Sequence, residues 1–310
     1  VFITGSSGFV GKYLINHLND HLMDVVLLPD IVDIRNKNDM IRFCSNNSFD
    51  YVIHLASQSF VPRSIINPRE TYDINFIGTL NLLEALSHSN FGGTFLFISS
   101  SDVYGIVSED QLPIKECNTI SPRSPYAVSK AATELLCKQW GTSEKDIRIL
   151  ISRPFNHIGP LQDERFVISS FCKQVAMIKC GLQKPLINVG NLKVTRDFTD
   201  VRDVVSAYRL LLEEGVHGRT YNVCSGQEIL LESVLPELHH LANIDFDVEV
   251  SSDLYRDAEQ IRAFGSFDQI NKDAGWAPKI LLNQSLLDIY NYWLDVINKC
   301  SRDGGDYFLC

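Results

Sequence analysis

The sequence predicts an α/β fold: a doubly wound parallel sheet with a second, smaller α/β lobe. Apolar segments of strand length alternate with helical segments up to about residue 155, the pattern of a parallel sheet covered by helices on both faces. A Gly-rich turn after the first strand supports the same fold. Beyond residue 155 the elements become shorter and less regular. The predicted strands are Val1–Thr4, Val25–Leu28, Tyr51–Leu55, Thr94–Ser100 and Ile147–Ser152.

The first turn predicts a dinucleotide site. The first strand runs into Gly5-Ser6-Ser7-Gly8-Phe9-Val10-Gly11, and Leu14, Ile15 and Leu18 give the next segment an apolar helical face. Glycines at this spacing, GxxGxxG rather than GxGxxG, let a pyrophosphate approach the N-terminus of a helix, whose N–H groups and dipole favour anions. We therefore expect a Rossmann-like domain.

Ligands of such sheets bind outside the carboxyl ends of the strands. We therefore expect the segments at the ends of the predicted strands to form one site. The helix predicted over Thr71–Leu86 is mostly core, with Gly78 as a close-packing point and Asn75 as its candidate functional group. The segments at the strand ends are Gly5, His54-Leu55-Ala56-Ser57, Ser100-Ser101 and Arg153-Pro154.

Tyr126 and Lys130 are the best candidates for chemistry. They are four residues apart on a helix predicted over Tyr126–Trp140, so one turn places both on the same face. We expect the Lys charge to lower the pKa of the Tyr toward neutrality, which would let the phenol exchange a proton near pH 7. Ser100 ends the preceding strand and is the third member of this predicted catalytic group.

The second half of the chain predicts a smaller substrate-binding lobe. An irregular turn is expected at Gly190-Asn191. We expect one domain over residues 1–157, completed by a return segment at about 197–224, and the smaller lobe over 158–196 and 225–310. The predicted helices lie near Phe166–Lys179, Val201–Glu213, Leu231–Leu241 and Leu282–Asn298.

Composition narrows the class of protein. The 310 residues are 45% hydrophobic, and the net charge of -10 argues against a nucleic-acid or anionic-membrane surface. The eight Cys are scattered without metal-ligand spacing, which predicts reduced thiols, no bound metal and a cytoplasmic protein. Because no apolar run reaches 18 residues and no basic segment precedes the first strand, neither a membrane span nor a signal peptide is expected.

Together these residues resemble the extended short-chain dehydrogenase/reductase family that modifies nucleotide-activated sugars, over nearly the whole chain. The resemblance implies an oxidoreductase with NADP or NAD as cofactor and a nucleotide-sugar substrate. Besides the glycines, Ser100, Tyr126 and Lys130, the matching segments are His54-Leu55-Ala56, Asn75, Gly78–Ala85, Arg153-Pro154-Phe155-Asn156, Arg196–Val201, Tyr221-Asn222-Val223 and Gly275-Trp276-Ala277-Pro278.

The resemblance also implies roles for individual residues. Arg side chains suit a diphosphate because the guanidinium is a planar fork of donors. Arg153 is left out of the site, since it directly ends a strand and could pack structurally. The implied cofactor-binding residues are Gly5, Ser7, Gly8, Phe9, Val10, Asp30, Ile31, Leu55, Ala56, Ser57, Asn75, Ser99, Tyr126, Lys130 and Pro154. The implied substrate-binding residues are Ser101, Asp102, Asn156, Arg196, Arg256 and Glu259.

The run Ser100-Ser101-Asp102 favours ketone reduction over dehydration. In this family the 4,6-dehydratases carry Thr-Asp-Glu, in which the acids assist the loss of water. Ser101 cannot act as a carboxylic acid and Asp102 is one methylene shorter than Glu. We therefore expect a 4-ketoreductase of a 4-keto-6-deoxy sugar nucleotide, with a GDP-linked substrate favoured. The alternatives are a 4-epimerase or a 4,6-dehydratase with retained NAD, and, with less support, a non-catalytic NADPH-sensing protein.

The segment after the second strand is shorter than is usual in this family. Asp30 either ends that strand and accepts from the adenosine ribose, which favours NAD, or contacts adenine. Arg35 could meet the 2′-phosphate of NADP, so both cofactors stay open.

The resemblance finally implies a homodimer that pairs subunits through Thr71–Leu86 and the helix of Tyr126. On the second helix, Ala127, Ala131, Leu135 and Leu136 give more apolar surface than catalysis requires.

Overall fold

A six-stranded parallel sheet forms the centre of the molecule, so the predicted fold class is confirmed. The computed structural model describes residues 1–144, 146–251, 253 and 260–302. Its strands are β1 (Phe2–Thr4), β2 (Val26–Leu27), β3 (Tyr51–His54), β4 (Thr94–Ile98), β5 (Arg148–Pro154) and β10 (Thr220–Val223). Their order in the sheet is β10-β5-β4-β3-β1-β2, and neighbouring strands pair in parallel.

Within the residues that the structure describes, three pairs of short strands lie outside this sheet. β6 (Asn156–Ile158) pairs in parallel with β9 (Phe198–Asp200). β7 (Leu186–Val189) pairs in parallel with β12 (Asp247–Val250), and β8 (Thr195–Arg196) is antiparallel to β11 (Ile229–Leu230).

The predicted helices are present, although one of them is divided, and the short helices over Val61–Ile66 and Asp268–Ala274 were not predicted. The segment predicted as a single helix over Thr71–Leu86 is divided by a π-helical turn, Asp73–Ile77, of the kind that is frequent at functional sites. The helices are α1 (Phe9–Asp20), α2 (Lys37–Ser45), α3 (Val61–Ile66), α4 (Pro68–Tyr72), α5 (Gly78–His88), α6 (Pro125–Ser143), α7 (Val167–Lys179), α8 (Val201–Glu214), α9 (Leu231–Ala242), α10 (Asp268–Ala274) and α11 (Leu282–Arg302).

Apolar cores on both faces of the sheet hold the helices in place. One core packs residues of α1 and α8, such as Leu14 and Tyr208, and the other packs residues of α2 and α5, such as Met40 and Leu82. Gly78 is a close-packing point, as predicted, because an added Cβ would lie 2.6 Å from the Ile34 Cδ1 atom.

A further core lies around the elements that follow residue 155. It joins α7, α9, α11 and β7, with Phe171, Val175, Leu238 and Trp293 among its buried residues. Hydrogen bonds from Ser285 on α11 and from Arg202 to the Asp200 carboxylate connect α11 to the start of α8.

Two sequence expectations need correction. Ala127 and Ala131 are buried within the subunit, so of the residues proposed as spare apolar surface on α6 only Leu135 is well exposed, while Leu136 is half-buried. Six cysteines in the described part of the chain are free, but Cys300 is disulfide-bonded, so the expectation of reduced thiols throughout is wrong there.

Within the described residues, no helix is long and apolar enough to span a membrane, and no cluster of three or more His, Cys, Asp or Glu side chains could hold a metal.

Candidate active site

The Gly-rich turn leaves the N-terminus of α1 open. Gly5 has a φ of +71°, and an added Cβ would lie 2.7 Å from the backbone nitrogen of Ala56. At Gly11 a Cβ would lie 2.5 Å from the carbonyl oxygen of Ser6. Ser7 and Gly8 are exposed, and Phe9 and Val10 begin the helix half-buried. The turn can therefore receive an anionic group against the free N–H groups of α1.

The segment Leu55–Ser57 lies beside this turn and is held by side chains below it. The Thr4 hydroxyl accepts a hydrogen bond from the Ala56 N–H (3.2 Å). Asn75 is buried and uses its whole amide: Oδ1 accepts from the Ser57 hydroxyl (3.1 Å) and the Gln58 N–H (2.8 Å), and Nδ2 donates to the Gln58 carbonyl (3.1 Å) and to Ser129 Oγ (2.9 Å). Asn75 therefore reaches a ligand only through the segment that it positions.

His54 extends this buried network. Its Nδ1 lies 2.6 Å from Thr4 Oγ1 and its Nε2 lies 2.8 Å from Thr79 Oγ1. Since the Thr79 hydroxyl donates to the Asn75 carbonyl, His54 Nε2–H is the donor to Thr79 and Nδ1 accepts from Thr4. Burial, and then the Lys130 charge, lower the pKa of His54 to about 3, so the ring is neutral.

The segment after β2 is exposed, including Asp30 and Ile31. Arg35 does not project freely, because its guanidinium forms a two-pronged ion pair with Asp33 (Nε to Oδ2, 2.9 Å). The hydrogen bonds from Asn81 Nδ2 to the Ile34 and Arg35 carbonyls fix the backbone of this turn.

Ser100, Tyr126 and Lys130 come together at the carboxyl end of β4. The Ser124 side chain caps α6 and Pro125 begins it, which places Tyr126 in the first turn. Ser100 Oγ accepts from the Asp102 N–H (3.1 Å), so its own hydroxyl hydrogen is available to donate, and a hydrogen bond joins Ser100 and Tyr126. Lys130 Nζ lies 6.0 Å from the centre of the Tyr126 ring.

The electrostatics of this group differ from the prediction. Burial, and then the Asp102 carboxylate, raise the pKa of Tyr126, while the hydrogen bond with Ser100 opposes them. The expected lowering of the Tyr126 pKa by Lys130 is therefore wrong for this structure. Burial lowers the pKa of Lys130 itself to about 7, with Cys137 and Glu134 acting in the opposite direction. Of Tyr126 and Lys130, the lysine therefore has the pKa closer to neutrality.

A buried ion pair between β5 and α6 lies next to the Ser100, Tyr126 and Lys130 group. Arg153 on β5 donates from Nε to Glu134 Oε1 (2.9 Å) and from Nη2 to Oε2 (2.6 Å), which confirms that Arg153 packs structurally. The Ser99 hydroxyl also donates to Glu134 Oε1 (2.6 Å), so only its backbone is left to face a cofactor. Pro154 ends β5 beside this pair. We did not predict Glu134, although its position four residues after Lys130 places it on the same helical face.

Four of the six predicted substrate-binding residues lie in the described part of the chain, on three separate elements. Ser101 and Asp102 lie on a 3₁₀ turn directly after Ser100, and Asp102 is exposed. Asn156 is exposed at the start of β6, and Arg196 on β8 donates from Nη1 to the carbonyls of Thr195 (2.7 Å) and Gln260 (2.8 Å). Arg256 and Glu259 lie outside the described residues.

A Gly-rich turn at a helix N-terminus, joined on one parallel sheet to a Ser, Tyr and Lys group at the next strand ends, defines a short-chain dehydrogenase/reductase. The sequence also matches the family described as GDP-mannose 4,6 dehydratase over residues 30–289, most of the chain. The chain therefore belongs to this family, among the extended members of the class, and the predicted resemblance is confirmed.

Individual relatives agree with this assignment. The chain is 45% identical over 298 residues to a GDP-6-deoxy-D-mannose reductase of Pseudomonas aeruginosa, covering 94% of this chain and 96% of that protein. The solved structure of RMD from Pseudomonas aeruginosa complexed with NADPH superposes with a TM-score of 0.90 at 45% identity, covering 96% of this chain and 99% of that one. The UDP-glucose 4-epimerase of Thermus thermophilus in complex with NAD gives a TM-score of 0.83 at 25% identity, covering 94% and 98%.

Proposed function

We propose that this protein is an NAD(P)H-dependent reductase of the 4-keto group of a nucleotide-linked 4-keto-6-deoxy sugar, with a GDP-linked sugar favoured, in deoxysugar biosynthesis. The observation that carries the proposal is the assembled Ser100, Tyr126 and Lys130 group, followed by Ser101 where the family's dehydratases have an acid. The 45% identity to a GDP-6-deoxy-D-mannose reductase supports the same substrate class.

The residues present fit a dinucleotide. Gly5 and Gly11 let the turn pack against Ala56 and the start of α1 more closely than a Cβ would allow, and the exposed N-terminus of α1 provides backbone donors for the diphosphate. We expect Ser7, Gly8, Phe9 and Val10 to contact the diphosphate at the N-terminus of α1. We expect Leu55, Ala56 and Ser57 to contact the cofactor from the end of β3, with Ser99, Pro154, Tyr126 and Lys130 closer to the nicotinamide.

The proposed reaction adds one hydride and one proton across the carbonyl group and gives a secondary alcohol. The reduced nicotinamide, when bound, supplies the hydride to the carbonyl carbon. Tyr126 gives its phenolic proton to the carbonyl oxygen, and Ser100 donates its hydroxyl hydrogen to the same oxygen while its Oγ accepts from the Asp102 N–H. Lys130 would hold the nicotinamide ribose, and its Nζ lies 6.0 Å from the centre of the Tyr126 ring.

The cofactor is NADP or NAD. Asp30 beside β2 favours a ribose 2′-hydroxyl, whereas Arg35 in the same segment offers a cation to a 2′-phosphate. Asp30 and Arg35 therefore favour different cofactors. The Arg35 charge is already paired with Asp33. The ratio of kcat/KM with NADPH to that with NADH measures which of them prevails.

We assign the nucleotide-sugar to the lobe formed by residues 158–196 and 225–310, facing the dinucleotide domain of residues 1–157 with its return segment 197–224. Arg196 would meet the diphosphate, and Asn156 would donate to it from the start of β6. Ser101 and Asp102 would face the sugar, because they directly follow Ser100. Arg256 and Glu259 keep the substrate roles that the sequence implies.

A 4-epimerase or a 4,6-dehydratase with retained NAD is the second candidate, and the observation in its favour is the structural likeness to a 4-epimerase. The purified protein should be incubated with GDP-, UDP- and dTDP-linked 4-keto-6-deoxy sugars while NAD(P)H absorbance is followed. Stoichiometric consumption of added NAD(P)H with the GDP-linked sugar supports the reductase. Product formed without added cofactor, by protein that retains NAD(H) through gel filtration, would reject it.

We also propose a homodimer in the cytoplasm. On the segment Thr71–Leu86 and on α6, the large apolar side chains that are exposed are Ile77, Val128 and Leu135, and the last two are seven residues apart on one face of α6. Packing these helices against those of a second copy would bury them.

A further inference from the structure

The strongest feature that the proposed reaction does not use is the buried pair of Arg153 and Glu134. Both side chains are almost fully buried, at 2% and 1% exposure, and two hydrogen bonds join them. The guanidinium also lies 4.8 Å from the centre of the Tyr104 ring and donates to the Glu116 carbonyl (3.3 Å). Burying two charges is costly, and breaking such a pair leaves one charge uncompensated, so its position in the molecule needs a reason.

Glu134 lies one helical turn after Lys130 on α6, on the face that carries Tyr126. The Glu134 carboxylate acts on Lys130, because its charge raises the pKa of the lysine. In the structure both carboxylate oxygens are occupied by Arg153, and Oε1 also accepts from Ser99. Lys130 Nζ instead donates to the Ile98 carbonyl over 2.7 Å.

We propose that Arg153 and Glu134 are positioning residues for Lys130: Arg153 holds the Glu134 carboxylate, so that the Lys130 ammonium stays directed to the end of β4, where the cofactor ribose is expected. This inference rests on the proposed function. It assigns Ser99 to the same device, because its hydroxyl fixes the carboxylate from β4.

The charges around Lys130 make the inference testable. Tyr126, Glu134 and Cys137 face it from α6, neutral His54 from β3, and the Phe97 ring from β4 at 5.1 Å. Asp102 acts on Tyr126 from the 3₁₀ turn, and Arg153 balances Glu134 from β5. The pair therefore contributes nearly no net charge, and removal of either partner should unbalance it in opposite directions.

We consider the pH profile of kcat/KM for the 4-keto sugar, measured with saturating NADPH. Its basic limb should move in opposite directions in two variants. Glu134→Gln removes a negative charge and should move the limb to lower pH. Arg153→Met removes a positive charge and should move it to higher pH, each by about one pH unit. Arg153→Lys keeps the charge and should leave the limb near that of wild type. Arg42→Met, which breaks an exposed pair with Asp39 on α2, is the matched control and should not move it.

A purely structural pair would lower stability without shifting the limbs in opposite directions, so shifts of the same sign, or none, would overturn the inference. If Arg153→Met does not fold, the pH profiles of Glu134→Gln and Arg153→Lys test the inference. An unmoved basic limb in Glu134→Gln would then overturn the inference.

A second readout separates this inference from the proposed function. The ¹³Cε shift of Lys130, assigned with Lys130→Arg, reports lysine titration without substrate. The lysine signal should titrate at lower pH in Glu134→Gln and at higher pH in Arg153→Met. A wild-type protein that reduces no 4-keto sugar would reject the function and still allow this measurement. Active wild type with unmoved lysine titration would reject the inference alone.

Discussion

Lys130 Nζ donates a hydrogen bond to the Ile98 carbonyl oxygen over 2.7 Å and so ties α6 to the carboxyl end of β4. Ser99 and Ser100 directly follow Ile98, and Tyr126 lies one turn before Lys130. The lysine therefore fixes the distance between the helix that provides the proton and the strand end that provides the serine. Ser129, its neighbour, accepts from Asn75 (2.9 Å) and connects the same helix to the segment after β3.

Replacing Tyr126 with Phe should lower kcat by roughly 10²–10⁴, which is the usual contribution of a positioned acid. The ring is buried, and its hydroxyl is what the substitution removes, so the fold and NADPH affinity should be preserved. Steady-state kinetics, with NADPH binding by calorimetry as the control, check this. Turnover within a factor of a few of wild type would remove Tyr126 from the mechanism.

Replacing Gly11 with Ala should weaken NADPH binding and lower stability. The new Cβ would lie 2.5 Å from the Ser6 carbonyl and 2.7 Å from the Gly5 carbonyl, so the turn must move away from the helix. Gly92→Ala is the matched control, because its nearest contact would be an ordinary 3.9 Å. Fluorescence titration with NADPH and thermal unfolding of both variants measure the difference. Equal affinities in the two variants would contradict the role of this turn.

The neutral His54 should make the protein sensitive to acid. Its pKa is near 3 when folded, and its ordinary value is 6.5, so the unfolded chain binds the proton more tightly. The contribution of His54 to stability is therefore complete above pH 6.5 and is lost as the pH falls toward 3, at up to about 1.4 kcal/mol per pH unit.

His54→Gln keeps a donor and an acceptor but does not titrate in this range. Urea unfolding at pH 4.5 and pH 7.5 should show a smaller loss of stability in this variant than in wild type. His240→Gln, at an exposed position, should retain the wild-type dependence. Identical pH dependence in wild type and His54→Gln would show that His54 does not cause the sensitivity.

The parallel sheet, the Gly-rich turn and the pairing of Tyr126 with Lys130 could be predicted because each depends on local pattern. The electrostatics could not. Whether Lys130 lowers the pKa of Tyr126 depends on the burial of both groups and on the Asp102 carboxylate, which a one-dimensional spacing does not give. Glu134 was missed because its partner, Arg153, comes from a strand 19 residues further along the chain.

The apolar face of α6 was misassigned for a related reason. A helix of 19 residues beside a sheet buries one face on its own subunit, and the sequence does not tell which apolar residues lie on that face. Ala127 and Ala131 are on the inner face, while Leu135 is 65% exposed. The π-helical turn at Asp73–Ile77 was not predicted either, since no residue there breaks a helical pattern.

Arg196→Ala should weaken nucleotide-sugar binding much more than NADPH binding, because β8 belongs to the lobe assigned to the sugar nucleotide. The loss of one charge-assisted contact should amount to about 1.5–3 kcal/mol. Calorimetry with GDP-mannose and with NADPH compares the two ligands, and Lys193→Ala, a change at an exposed neighbour, serves as the control. Equal weakening of both ligands would contradict the assignment of separate lobes.

The proposed dimer predicts a mass near twice 35.0 kDa by light scattering at micromolar concentration. Leu135→Asp, alone or with Val128→Asp, should give monomers, because each change places a charge in the apolar contact between helices. Leu22→Asp is the control, since Leu22 is also an exposed leucine but lies after α1. A wild-type mass of 35.0 kDa would reject the dimer, and a dimer that survives both substitutions would reject this helix face as the contact.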